Sequence, residues 1–414
     1  MSNYFRGLKR YSQLFQPFFQ AEITEQLEKL EVDKYVKKLT TIQLIQLIAY
    51  AQIQQQECLR EISDNFHNPD FQTNIGLESI SFSQISRRLK CLDPETVKLL
   101  FRNALRELTI RVGFDNANKE LGRLHLIDSS TISLCLTQYP WAVFRKTKSG
   151  IKLHLRLKFW DGYFLPDQAI ITNAKVADKR KMDELVVEDE DAMNIFDRGY
   201  VDYKKFNQYC ASGIRFTTRL KENAIIEVIK EYPVKPNSPI LKDQRVYLGN
   251  NQTKMAHPVR LIEVLDTKGE RIVIITNDFE LKAEAIGDIY RHRWQIELFF
   301  KWIKQHFSVK HFYGTSQPAV ENQLYIALCS YCLLMLIKLK TGFSKTLLEL
   351  SRILKVSFFE QYTVFVGKLC RWRRKSRGRR KLDHETIYRM TEWQVLETLE
   401  AGHLNDLTYD PIVL

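Results

Sequence analysis

The spacing of apolar positions changes twice along the chain. Thr40-Thr-Ile-Gln-Leu-Ile-Gln-Leu-Ile-Ala-Tyr-Ala-Gln52 has helical spacing behind a threonine cap. Cys58–Phe66 and Ser81–Lys90 read as two further short helices, the latter capped by Ser81 or Ser83, so residues 1–115 are mainly helical. From about 120 the period falls to two. Arg123–Asp128 is strand-like and ends on an acid, and Gly150–Trp160 alternates strictly up to a turn signal at Asp161-Gly162. Asp167–Asn173, Met193–Asp197 and Gly213–Arg219 follow as strands, with a charged, helical stretch at Lys179–Asp191. Arg245–Leu248, Val259–Leu265 and Arg271–Thr276 form a β-rich region at about 220–280 that contains a loop from Pro233 to Asn237. From 281 to about 366 the helical period returns.

That return begins with the most informative segment. Set on a helical wheel at ~100° per residue, Tyr290, Arg293, Glu297, Lys301 and Lys304 fall within about 80° of one another. Ile289, Ile296, Phe299 and Ile303 fall on an adjacent apolar face. A helix over 288–304 therefore packs against a core and presents a phenol, cations and one carboxylate beside it. Salt bridges Arg293–Glu297 and Glu297–Lys301 fit the same spacing and describe an ordinary solvated helix equally well.

Composition narrows the partner. The chain has 414 residues and a formal net charge of +13, which allows two or three domains and favours a polyanion, nucleic acid being the commonest. The seven cysteines form no disulfide framework, which suits a reducing, cytoplasmic compartment. Cys329-Ser-Tyr-Cys332 lies in the apolar run Leu324–Ile337 with no second ligand pair, so buried thiols fit better than zinc. That run reads as too short and interrupted to span a bilayer. Ser81–Lys90, with Gln84, Ser86, Arg87, Arg88 and Lys90, suits a DNA groove, although the 67–80 connection is too long for a helix-turn-helix and an ordinary helical bundle is the alternative. Lys152 and His154 face DNA or the solvent side of their strand, and the solvent side is the favoured reading. Arg371–Lys381 is a dense basic run, followed by an acid-rich tail.

Three acids stand out. Asp128 and Asp197 end strands, and Glu297 lies on the first helix after the β-rich region. Two strand-borne aspartates can converge at one sheet edge, and a helix packed on that sheet can bring a glutamate to them. All-oxygen ligation suits Mg²⁺ or Mn²⁺, and two such ions can assist phosphoryl transfer. Each acid alone also fits a turn, a cap or a salt bridge.

Three blocks together resemble the insertion-sequence transposases with a DDE active site, specifically the large insertion-sequence-four family. They are Leu126-Ile-Asp-Ser-Ser-Thr131, Ile195-Phe-Asp-Arg-Gly-Tyr200 and Tyr290-x2-Arg293-x3-Glu297-x6-Lys304, followed by Lys310-His-Phe-Tyr-Gly-Thr-Ser316. The resemblance implies an α/β fold: an RNase H-like catalytic core over 120–340 with the β-rich insertion, an α-helical, DNA-contacting domain at 1–115, and a helical region with the basic run and acidic tail at 341–414. It implies that Asp128, Asp197 and Glu297 hold two metal ions and that Tyr290, Arg293 and Lys304 contact DNA phosphates. The implied partner is double-stranded DNA, both the terminal inverted repeats and the target, with a homodimer in the synaptic complex and no membrane. The implied reaction is cleavage at the element's ends and 3′-hydroxyl strand transfer. No tryptophan lies between Trp160 and Trp294, where some relatives use one to hold a flipped base; Tyr247 is a candidate substitute. A nuclease that cuts without joining, and a silent DNA-binding regulator, are the alternatives.

Overall fold

The computed structural model describes residues 14–371 apart from 113–122, 161–162, 236–237, 266–268, 308 and 310. The basic run beyond Arg371, the acidic tail and the Asp161-Gly162 turn lie outside the described residues.

Six helices come first: α1 (Ala21–Lys29), α2 (Thr41–Gln54), α3 (Leu59–Asp64), α4 (Pro69–Ile75), α5 (Phe82–Cys91) and α6 (Pro94–Val112). The start signals at α2 and α5 are complete capping boxes, Thr40 with Gln43 and Ser81 with Gln84. The 67–80 connection is not a bare loop. Asn68 caps α4, whose end is turned by Gly76 at φ +72°. Contacts within the fold engage part of the set on α5 that suits a DNA groove. Gln84 is spent on the cap, and Arg88 turns inward to Asp33, Thr41 and the Leu39 carbonyl. Arg87 and Lys90 remain exposed.

The strands are β1 (Arg123–Leu134), β2 (Val143–Arg145), β3 (Lys148–Trp160), β4 (Tyr163–Asn173), β5 (Ala192–Phe196), β6 (Arg215–Arg219), β7 (Ile226–Glu231), β8 (Ile240–Leu248), β9 (Val259–Leu265) and β10 (Arg271–Thr276). Short helices α7 (Met182–Leu185) and α8 (Tyr203–Ala211) flank β5. All ten strands join one mixed sheet in the order β2-β3-β1-β5-β6-β10-β9-β8-β7, with β4 on β3. β5 and β6 run parallel to β1, and the other pairings are antiparallel. The β-rich region therefore continues the central sheet, because β10 pairs with β6.

The C-terminal helices are α9 (Ala283–Arg291), α10 (Trp294–His306), α11 (Gln317–Thr341), α12 (Leu347–Val356) and α13 (Tyr362–Arg371). Side chains alternate across the sheet, so its central strands feed two cores. Leu124, Leu126, Met193 and Ile195 join the helices α2, α5, α6, α10 and α11 on one face. Ile127, Phe196 and Phe216 join α7, α8 and Tyr200 on the other. The helix α11 is longer than its apolar run. It is long and apolar enough by composition to cross a membrane, so shortness is not what distinguishes it. Burial is: Asn322 donates to the Leu89 and Leu92 carbonyls, and Cys329 and Cys332 are buried thiols pushed up by desolvation.

Both faces being covered also corrects Lys152 and His154. His154 is fully buried and bonded to Thr172, and the Lys152 ammonium donates to Asp178 and to the Val176 carbonyl, so neither faces solvent or DNA.

Candidate active site

Sheet register brings the two aspartates together. β1 pairs in parallel with β5 from Arg123↔Ala192 to Ile127↔Phe196. The next step of that register sets Asp128 beside Asp197. Asp128 does not end its strand: β1 continues to Leu134 on the antiparallel support of β3. Asp197 does follow the end of β5 directly, and its side chain makes no cap bond to the turn Arg198–Tyr200. By alternation both aspartates belong to the face that carries α9, α10 and α11.

The segment 288–304 is two helices, not one. The chain tightens at the junction, where His292, Arg293, Gln295 and Ile296 each donate to the carbonyl three residues back. His292 stacks on Phe159 with ring centroids 4.8 Å apart, which anchors the break against β3. Past the break α10 keeps helical spacing, so Arg293 and Glu297 meet: Nη1 lies 2.7 Å from Glu297 Oε1 and 3.7 Å from Asp128 Oδ2. One guanidinium thus bridges acids from a strand and a helix. The side chains of Arg293 and Asp128 are 14% and 17% exposed, that of Glu297 38%.

The other expected residues gather round. Tyr290 is buried, and its ring centroid lies 5.9 Å from the Arg293 guanidinium. Burial pushes its phenol up to about 12, with Arg293 and Arg219 opposing and Asp197 assisting, so it is a neutral hydrogen-bond donor. Lys304 Nζ donates to Ser130 Oγ at 2.6 Å and to the Thr131 carbonyl at 3.3 Å, on the Asp128 side of β1. Arg219, at the end of β6, is a further cation of the site that the sequence pattern did not single out.

Asp128 carries the electrostatic signature of the site. Burial raises its carboxyl from the ordinary 3.8 to about 7, with Glu297 and Asp197 pushing the same way. The Ser129 N–H, 2.7 Å from Oδ1, and Arg293 push back. Among the described residues, no group of three His, Cys, Asp or Glu side chains stands ready to hold a metal ion. The donor set nonetheless fits a hard divalent cation: it is all carboxylate, and Glu297 and Asp197 add to the raised proton affinity of Asp128, a cost that a cation would relieve.

Because its folded pKa is raised, Asp128 contributes stability below pH ~4 that is lost as pH climbs through 7. In EDTA, Asp128→Asn is therefore expected to gain on the wild type between pH 5 and 8, by at most about 3 kcal/mol. Urea midpoints at the two pH values measure this, and an equal difference at both would refute it.

The turn after Asp197 adds Tyr200, and the turn before α7 adds Asp178, which no local pattern marks. The Tyr200 hydroxyl is buried and makes no hydrogen bond of good geometry, and burial raises it well above its ordinary value, with Asp128 and Asp178 adding to the effect. Asp178, 28% exposed, accepts from Ser129 Oγ at 2.6 Å and from Lys152 Nζ at 3.0 Å.

Comparison with known proteins gives the family. The family described as "Transposase DDE domain" matches residues 120–333, and a "Domain of unknown function (DUF4372)" matches 7–76. A probable transposase for insertion sequence element IS5377 of Geobacillus stearothermophilus is 26% identical over 324 residues, 72% of this chain and 82% of that protein. A putative transposase, y4zB, of Sinorhizobium fredii is 33% identical over 230 residues, 53% of this chain and 63% of its own length. A putative transposase for insertion sequence element IS4SA of Synechocystis is 22% identical over 295 residues, covering 70% and 81%. With its central sheet and acidic edge inside the matched span, the chain belongs to the DDE-domain transposases of insertion sequences.

Proposed function

We propose that this transposase cuts double-stranded DNA at the terminal inverted repeats of its element and joins the freed 3′-hydroxyls to target DNA, in the manner of the insertion-sequence-four family. The observation that carries the reading is the meeting of Asp128 and Glu297 on Arg293, with Asp197 at the end of the neighbouring strand. Asp128, Asp197 and Glu297 are the residues that would hold two Mg²⁺ or Mn²⁺ ions. When bound, such ions would lower the proton affinity of an attacking oxygen and offset charge on a leaving one.

The chain's own residues do the rest. Arg293 offers a guanidinium already inside the acidic edge and suited to bidentate phosphate contact. Tyr290 donates from a neutral phenol, and Lys304, steadied by Ser130, supplies a point charge one face along β1. Both reactions are in-line displacements, which gain from fixed geometry and charge compensation. The net charge of +13 suits a DNA partner in the cytoplasm. Synapsis of two ends calls for a homodimer, and residues 1–115 and 341–414 supply accessory DNA contacts around the 120–340 core.

Incubation of the wild type with a labelled duplex carrying the gene-flanking repeat tests this. Expected are Mg²⁺-dependent cuts at the repeat boundary, none in EDTA, and transfer of the labelled end to a second duplex. Cutting without joining would make the protein a nuclease. Specific binding without cutting would make it a regulator.

A further inference from the structure

We propose that Asp178 is a positioning residue for the cleavage site, setting Asp128 and Asp197 against each other from the opposite face of the sheet. The inference rests on the reading of those two acids as site residues.

Asp178 opens the turn Asp178–Arg180, between β4 and α7. It stands on the face of Tyr200 and Ile127, away from Arg293 and Glu297. Two contacts connect it to the two acid-bearing segments. The first runs through β1. Ser129 Oγ donates to Asp178 Oδ1 at 2.6 Å, while the backbone N–H of the same Ser129 donates to Asp128 Oδ1 at 2.7 Å. Holding the Ser129 side chain on one face therefore fixes the N–H that orients the carboxyl on the other. The second runs to β5. The turn Asp178–Arg180 packs on the turn Arg198–Tyr200, which directly follows Asp197. A Cβ built on Gly199 would lie 3.9 Å from Asp178 Oδ2, an ordinary contact distance. Lys179, the next residue, pairs with Asp202 at 3.3 Å and secures the same junction.

A fourth acid this close would add to the repulsion at the edge if it were bare. Lys152 answers it at 3.0 Å and also donates to the Val176 carbonyl, so the node is close to neutral and tied to its own loop. His154 stands at 3.7 Å, with burial lowering its imidazole to about 4, so it adds no charge at neutral pH. The node therefore has geometry to offer the site and little field.

The test uses the full chain as wild type, Asp178→Ala, Asp178→Asn, Ser129→Ala and Asp128→Ala. Mn²⁺ binding is followed by electron paramagnetic resonance without DNA, and end cleavage is followed across a Mg²⁺ titration. Loss of a residue that orients a ligand costs roughly 10–100-fold in metal affinity. Asp178→Ala is expected to weaken Mn²⁺ binding and raise the half-maximal Mg²⁺ concentration by that factor, with duplex affinity nearly unchanged. Asp178→Asn, which keeps an acceptor for Ser129, recovers part of the loss. Ser129→Ala, which removes one hydroxyl and leaves the turn intact, shifts both readings in the same direction. Wild-type Mn²⁺ binding and Mg²⁺ midpoint in Asp178→Ala and Ser129→Ala, with Asp128→Ala inactive, would overturn the inference and leave the site reading standing. Full cleavage by Asp128→Ala would overturn the site reading itself.

Discussion

Alanine at Asp197 or Glu297 is expected to lower single-turnover end cleavage at least ~1,000-fold, because charge stabilisation worth several kcal/mol is removed from the transition state. Affinity for the repeat duplex should stay within a few-fold, since phosphates are gripped by cations. The two variants differ in their effect on the fold. Asp197 makes no cap bond, and it raises the proton affinity of Asp128, so its loss relieves repulsion and the thermal midpoint in EDTA should hold or rise. Glu297 is the nearer acid to Arg293, so its loss leaves a largely buried guanidinium whose shortest remaining ion-pair distance is 3.7 Å, to Asp128, and the midpoint should fall. Cleavage within tenfold of wild type by either folded variant would remove that acid from the mechanism.

The residue types gathered at this site were more legible than their geometry. Asp128, Asp197 and Glu297 lie 69 and 100 residues apart in sequence. Their convergence depends on the parallel register of β1 with β5 and on how α10 packs, which no local period encodes. The spacing Tyr290, Arg293, Glu297, Lys304 did encode a shared face. It could not encode the tightened turn at His292, because that break is anchored by Phe159, more than 130 residues away. Caps were readable because they are local, as at Thr40 and Ser81. Lys152 and His154 were misread for a general reason: strict alternation identifies two faces and does not say that the polar one is solvated. Here α7, α8 and the Asp178 turn cover it, and the polar residues pair with Thr172 and Asp178. Asp178 carried no signal, since Ser129 and Lys152 lie 49 and 26 residues away. The β-rich region was recognised strand by strand except for β7, an edge strand exposed along its whole length.

Arg293→Ala is expected to separate two roles of the bridging guanidinium. Without metal, Arg293 is the cation that holds Asp128 and Glu297 near each other. Removing one partner of a fully buried ion pair costs about 3–5 kcal/mol, and the partial exposure of Glu297 reduces this to about 1–3 kcal/mol. The variant should therefore melt lower than wild type in EDTA. A divalent cation held by Asp128 and Glu297 would compete with Arg293 for the same carboxylates, so Mn²⁺ should raise the variant's midpoint by more than it raises that of wild type. Cleavage should still fall roughly 100-fold, the scale for losing one positioned donor to a developing anion. Arg293→Lys keeps the charge and loses the planar fork, so it should restore the midpoint in EDTA better than it restores the rate. Equal Mn²⁺ stabilisation of wild type and Arg293→Ala would show that Arg293 and the metal do not share the acids. Recovery of the full rate by lysine would show that charge alone, and not the guanidinium geometry, is what the phosphate meets.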